Sequence, residues 1–172
     1  RVLTHRVAYL IEEKKVAPWN IMAITFTNKA AGEMRDRVDR LVTQGAEAVW
    51  VSTFHSSCVR ILRRHISYLG FDTDFTIYDT DDQKTLMKQV FKTLKVDPKQ
   101  YKERAVLGHI SSAKDRLLTP DQFEKEAAGD YRLEQEAKMY RGYQRQLRKN
   151  NDLDFEDLIV TPVELFVNFP AV

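Results

Sequence analysis

The sequence predicts an α/β fold with parallel strands, into which a long all-helical segment is inserted. The α/β part is indicated because a short apolar run, a polar break and an amphipathic helical pattern follow one another twice, at residues 21–41 and 48–69. The helical part is indicated because residues 79–150 show helical periodicity and caps but no strand signal. The apolar character of the first part returns at residues 151–172.

A helix over residues 1–13 comes first, and residues 14–20 connect it to a predicted strand at residues 21–25. Thr27 or Asn28 can cap the helix after that strand, because a short side-chain oxygen accepts a hydrogen bond from a free backbone N–H. Its apolar face recurs at spacings of four, four and three residues, which is the helical period. That face consists of Ala30, Met34, Val38 and Leu41.

The second unit begins with the apolar run AVWVS at residues 48–52, which predicts another short strand. Thr53, Phe54 and His55 form the polar break after it. A second helix follows, and Gly70 ends it in the usual C-cap position. The inner face of this helix is predicted to consist of Cys58, Ile61, Leu62, Ile66 and Leu69.

Two similar loops therefore follow the two strands, TFTN at residues 25–28 and TFHS at residues 53–56. Because parallel strands end at one edge of a sheet, we expect both loops at the same edge, where ligands of open α/β sheets bind.

The helical segment follows a third extended run at residues 75–78. Thr80 and Gln83 match a capping box, as do Thr119 and Gln122 with Pro120 at the first helical position. A long charged helix is expected over residues 132–150, and another over residues 155–166. The acidic run between them has two interpretations, a divalent metal site or caps and dipole partners at a helix start, and the second is favoured. It contains Asp152, Asp154, Glu156 and Asp157.

Composition sets broad limits on function. The net charge of +2 does not by itself indicate a nucleic-acid-binding protein, so any basic surface must come from local clustering. A single cysteine, Cys58, excludes a disulfide framework and favours a reducing compartment. No apolar run approaches the roughly 20 residues that span a bilayer. We therefore expect a cytoplasmic protein without membrane contacts.

The TFTN loop is the strongest candidate site. Phe26 offers a ring for base stacking, and Asn28 and Lys29 offer an amide and an ammonium for phosphates. The alternative is a plain helix cap with a core phenylalanine. His55 is expected to donate hydrogen bonds, with a structural cap as its alternative.

Basic runs on three helices are further candidates for phosphate contacts, although such runs are often only a solvated face. They are Lys29, Arg35, Arg37 and Arg40; then Arg60, Arg63, Arg64 and His65; and then Arg141, Arg145, Arg148 and Lys149. The 172 residues contain no G-x-x-x-x-G-K-[ST] phosphate loop.

Four segments closely resemble the UvrD/Rep/PcrA group of superfamily 1 DNA helicases, and PcrA-type members most closely. They are ITFTNKAAGEMRDRV at residues 24–38, VSTFHSSCVRILRR at 51–64, ISSAKDRLLTPDQF at 110–123 and NNDLDFEDLI at 150–159. The resemblance implies a partial RecA-like P-loop NTPase sheet, called subdomain 1A, at residues 1–78 and 151–172. It implies the helical subdomain 1B at residues 79–150.

The resemblance also implies a function, that of an ATP-dependent 3′-to-5′ DNA helicase in repair or replication. It would use ATP and Mg²⁺ and act on single-stranded DNA and on single-strand/double-strand junctions, in the bacterial cytoplasm near the nucleoid. In such proteins TFTNKAA and TFHS are the DNA-contacting motifs Ia and Ib. Arg1 would lie beside the nucleotide. The residues implied to contact single-stranded DNA are Thr25, Phe26, Thr27, Asn28, Lys29, Thr53, Phe54 and His55.

The motifs for ATP hydrolysis are expected before residue 1 and after residue 172, so this chain alone is expected to be inactive. Two other interpretations stay open at this point. One is a non-catalytic module that binds single-stranded nucleic acid or docks to a protein. The other is the motor of a nuclease-fused recombination subunit of the AddA type.

Overall fold

The computed structural model describes residues 2–172, which contain eight α-helices, four short strands and three short 3₁₀ helices. The predicted nucleotide contact of Arg1 lies outside these residues. The first compact unit ends at Arg60, and Ile61–Val172 form the second. In chain order the elements are α1 (Val2–Glu12), β1 (Met22–Thr25), α2 (Asn28–Leu41), β2 (Trp50–Thr53), α3 (Phe54–His65), β3 (Thr76–Ile77), α4 (Thr80–Leu94), α5 (Glu103–Asp115), α6 (Pro120–Glu126), α7 (Tyr131–Asn150), β4 (Asp152–Leu153) and α8 (Asp157–Asn168).

The first unit is built on two parallel strands, as the sequence predicts. β1 pairs with β2 in a register that sets Met22 opposite Trp50 and Thr25 opposite Thr53. Helices α1 and α2 cover the strands, and a single apolar cluster fills the space between them. That cluster contains Val7, Ile11, Ile21, Ala23, Ala31, Val38, Val42, Ala46, Val49 and Val51.

The buried face of α2 differs from the predicted one by a small rotation. Ala31 and Val38 are buried, Met34 is half-buried, and Leu41 is exposed. Val42, just after the helix, takes the buried place predicted for Leu41. Ala31, Val38 and Val42 follow one another at i, i+7 and i+11, which is a single helical stripe.

The second unit is a helical bundle beside a two-residue sheet. Its core lies among α4, α5, α6 and α7, and no strand occurs between residues 79 and 150, all of which the structure describes. β3 pairs in parallel with β4, Thr76 opposite Asp152. The helix predicted at residues 155–166 is present as α8, but the sequence reasoning missed β4 just before it. So short a strand has no periodic signal, and its partner lies 76 positions earlier in the chain.

Of the two capping boxes that the sequence predicts, one is present and the other is displaced by one residue. The Thr119 hydroxyl accepts from the Gln122 N–H, and Gln122 accepts from the Thr119 N–H, so the second predicted capping box is confirmed. The first is wrong by one residue, because Asp79 and Asp82 form it instead of Thr80 and Gln83. The Asp79 carboxylate accepts the Asp81 N–H at 2.8 Å and the Asp82 N–H at 2.9 Å, and Asp is a preferred cap residue.

Gly70 caps the end of a short 3₁₀ turn, Ile66–Leu69, that continues α3, and its φ of 76° is left-handed.

None of the helices in residues 2–172 is both long enough and apolar enough to cross a membrane.

Candidate nucleic-acid interface

Two exposed phenylalanines meet at the edge where β1 and β2 end. Since Thr25 and Thr53 are paired in the sheet, the next residues in each strand, Phe26 and Phe54, leave it side by side. Their ring centroids lie 5.5 Å apart at an interplanar angle of 42°. Phe26 is 87% exposed and Phe54 is 45% exposed. The alternative of a core phenylalanine at position 26 is therefore wrong, and the expectation that both loops share one edge is confirmed.

The TFTN loop ends in a capped helix start. The Thr27 Oγ1 accepts the Ala30 N–H at 3.1 Å, while Asn28 and Lys29 form the exposed first turn of α2. That turn contains no acidic side chain. The positive end of the helix dipole is therefore free of a local carboxylate, which favours an anion such as phosphate.

The TFHS loop is held more tightly. Thr53 is buried, and its hydroxyl donates to Ser56 Oγ at 2.9 Å and accepts from the Ser56 N–H at 3.2 Å. Ser52 Oγ and Ser57 Oγ lie 2.5 Å apart. These bonds fix the start of α3, on which His55 is half-buried in the first turn. Thr53 thus supports the loop, and its own contact with DNA stays a prediction.

Several predicted basic contacts have structural partners instead. In the first unit the Arg35 guanidinium donates to Val51 O at 3.0 Å, and Arg60 stacks on Trp50 at 4.4 Å. In the second unit Arg63 stacks on Phe75 at 3.8 Å and Arg141 pairs with two carboxylates. These arginines therefore hold the fold together, a role that local charge runs do not reveal.

The acidic run after α7 is structural rather than open. Lys114, from α5, is buried and forms ion pairs with Asp154 at 2.6 Å and Asp157 at 2.8 Å. Asp154 Oδ1 also accepts the Asp157 N–H at 2.9 Å, which is the capping role that the sequence favours. In residues 2–172 no group of three or more His, Cys, Asp or Glu side chains is arranged to hold a metal ion.

Burial lowers the pKa of Lys114, but the charges of Asp157 and Asp154 outweigh this effect and leave that pKa above its ordinary value. Burial raises the pKa of Asp157 to about 6, because the Lys114 charge only partly offsets the loss of water. Sequence reasoning missed Lys114. Its position in the apolar stripe of Val106, Ile110 and Ala113 is the signal that could have found it.

Sequence comparison agrees with this geometry. The model of the UvrD/REP helicase N-terminal domain matches residues 1–172, the whole chain. The chain belongs to the UvrD/REP helicase N-terminal domain family. The α/β fold class and the resemblance found in the sequence are thereby confirmed.

Relatives of this UvrD/REP domain are proteins named ATP-dependent DNA helicase PcrA. The chain is 52% identical over 172 residues to those of Bacillus subtilis (strain 168) and Staphylococcus aureus (strain COL). It is 52% identical over 170 residues to that of Staphylococcus epidermidis. The matches cover 100%, 100% and 99% of this chain and 23% of each relative. The chain therefore spans about a quarter of the length of these relatives.

Chemically, this edge of the UvrD/REP domain combines an exposed aromatic ring with the N-termini of two helices. A ring of this kind can stack on any nucleobase, because every base has a π-face. Two helix starts without acidic residues, one ammonium and one imidazole can bind phosphates. The edge is therefore suited to a sequence-independent grip on a single strand.

Proposed function

We propose that this chain is part of the motor of an ATP-dependent DNA helicase and that its TFTN and TFHS loops grip single-stranded DNA. The observation that carries the proposal is the exposed Phe26 ring beside Phe54 at the ends of two paired strands. The PcrA relatives are named as DNA helicases, which supports DNA as the polymer that is gripped.

Each loop has a separate role in this proposal. Phe26 stacks on a base, while Thr25, Asn28 and Lys29 contact the strand's backbone. His55 donates to a phosphate. Thr53 positions His55 through its capping bonds to Ser56. The natural full-length protein uses ATP and Mg²⁺, translocates 3′-to-5′, acts at single-strand/double-strand junctions and serves repair or replication.

The subdomain assignment belongs to the same proposal. Residues 1–78 and 151–172 form the RecA-like 1A part, and residues 79–150 form the helical 1B part. The 172 residues contain no G-x-x-x-x-G-K-[ST] sequence, so none of the described side chains is assigned to the nucleotide phosphates. The chemistry of ATP is supplied elsewhere in the full-length protein, and this chain holds the strand that the motor moves.

The test is fluorescence anisotropy of labelled oligo(dT) with the full-length protein, across a salt series. We expect wild-type binding to weaken with salt, because phosphate contacts release counterions. The Phe26→Ala/His55→Ala variant should bind at least tenfold more weakly, since stacking on one base contributes about 1–3 kcal/mol. Trp19→Ala is the matched control, because Trp19 is 72% exposed and precedes β1 at the opposite end of the strand. Equal affinity of the double variant and wild type would refute the proposal.

A further inference from the structure

We infer that the two loops form a one-sided stacking platform, in which a single unpaired base lies on the outer face of Phe26 while Phe54 supports its inner face. This inference rests on the proposed function and adds to it. It gives Phe54 a positioning role and sets the number of bases held at this edge to one.

The distance between the rings excludes a base between them. Stacked bases are separated by about 3.4 Å, so a base inserted between two rings requires centroids about 7 Å apart. The Phe26 and Phe54 centroids are only 5.5 Å apart, and the rings are tilted by 42° rather than parallel. The gap between the two rings is therefore too narrow for a base, so a base stacks on the side of Phe26 that faces away from Phe54.

The two rings also differ in how firmly they are held. Phe54 is the first residue of α3 and is flanked by the Thr53–Ser56 and Ser52–Ser57 hydroxyl contacts. Phe26 lies one residue before the Thr27 cap, outside both β1 and α2. A tilted aromatic pair at this separation is attractive. Phe54 is therefore the fixed ring that orients the exposed one.

The solvent exposure of the two rings also assigns base stacking to Phe26 and support to Phe54. At 87% exposure Phe26 presents most of its surface to solvent, whereas Phe54 at 45% has lost about half of its own. A ring that stacks on a base needs a free face, and a ring that supports another needs contact. Phe26 therefore offers the larger free surface for a base, and Phe54 acts through Phe26 rather than on the strand directly.

A double-mutant cycle in the full-length protein tests this assignment. The probes are labelled oligo(dT) and an abasic oligonucleotide of equal length, and the variants are Phe26→Ala, Phe54→Ala, Phe54→Leu and the double alanine variant. We expect Phe26→Ala to weaken dT binding by about 5- to 100-fold and to leave abasic binding within about twofold. Phe54→Ala should weaken dT binding less, and the double variant should match Phe26→Ala within about twofold.

Phe54→Leu separates support from a general structural role, because leucine fills the flank of Phe26 without offering a stacking face. It should recover at least half of the loss in log affinity that Phe54→Ala causes. Losses that multiply in the double variant, or an unchanged Phe54→Ala, would overturn the one-base platform while leaving the proposed function intact. An unchanged Phe26→Ala would instead overturn the proposed function and the platform with it.

Discussion

At the scale of single residues, Lys114 is unusual because a charged side chain is almost completely buried. Its ammonium is buried between Asp154 and Asp157. Tyr143 donates to Asp154 at 3.1 Å, and Gln144 donates to Asp157 at 3.0 Å. Removing charges from water costs several kcal/mol per ion, and only close pairing and hydrogen bonds offset that cost. The cluster therefore fixes how α5, α7 and the start of α8 meet, more than it adds stability.

The excess of carboxylates in this cluster predicts a pH effect. Burial raises the pKa of Asp157 to about 6 from an ordinary value near 3.9. A carboxyl group whose pKa is raised on folding lowers the free energy of unfolding wherever it is ionised in the unfolded state. This loss is complete above pH 6 and absent below about pH 4. Asp157→Asn removes this effect. We expect the free energy of unfolding of wild type, relative to that of Asp157→Asn, to fall as the pH rises from 4 to 6 and then to stay level.

Urea denaturation of both proteins at half-unit pH steps measures this difference. Using the difference cancels the carboxylates that act in the opposite direction, such as Asp79 and Glu124, whose pKa values are lowered by hydrogen bonds. A relative stability that rises between pH 4 and 6 would contradict the prediction. So would one that does not change in that window.

At the scale of elements, the helix starts show where local sequence is sufficient and where it is not. Thr27 and Thr119 cap their helices as the pattern predicts. The start of α4 is different, because the pattern predicts Thr80–Gln83, whereas Asp79 and Asp82 form the box in the structure. Because α4 begins at Thr80, the cap position belongs to Asp79, one residue earlier than the Thr-x-x-Gln pattern indicates.

Cap variants test the assignment at α4. Asp79→Ala should lower the free energy of unfolding, because the Asp81 and Asp82 N–H groups lose their acceptor. Thr80→Ala should change it little, and Thr119→Ala should cost about 1 kcal/mol as a benchmark for a lost cap. Thermal or urea unfolding of the three variants gives the ranking. A larger loss for Thr80→Ala than for Asp79→Ala would restore the box that the sequence suggests.

At the scale of the whole molecule, the sequence predicts most of the order of helices and strands. It predicts few of the contacts between residues that are far apart in the chain. Strand–loop–helix order and the shared edge of the two loops follow from hydrophobic periodicity, which is local. The pairing of β3 with β4 and the partners of Lys114 join residues that are 40 or more positions apart, and no local pattern contains them. The exposure of Phe26 likewise depends on what the fold leaves uncovered, so residue type alone allowed both interpretations.

The whole-molecule consequence of the proposed grip is a separation of ATP turnover from strand movement. In the full-length protein, Phe26→Ala removes the base contact but leaves the helix N-termini and Lys29 in place for the phosphates. We expect unwinding of a duplex with a single-stranded tail to slow by about tenfold, in line with a loss of about 1.4 kcal/mol in the grip. ATP hydrolysis at saturating oligo(dT) should fall by less, because binding through phosphates still occurs.

Steady-state ATPase and strand-displacement assays on the same preparations measure this separation, with Trp19→Ala again as the control. If both rates fall in parallel, Phe26 contributes to strand binding in general and not to the step that moves it. If unwinding is undiminished, the strand does not pass over this ring at all. A selective loss of unwinding is the outcome that follows from a grip made of one base on one exposed ring, because Phe54, the second ring at this edge, supports Phe26 instead of stacking on a base.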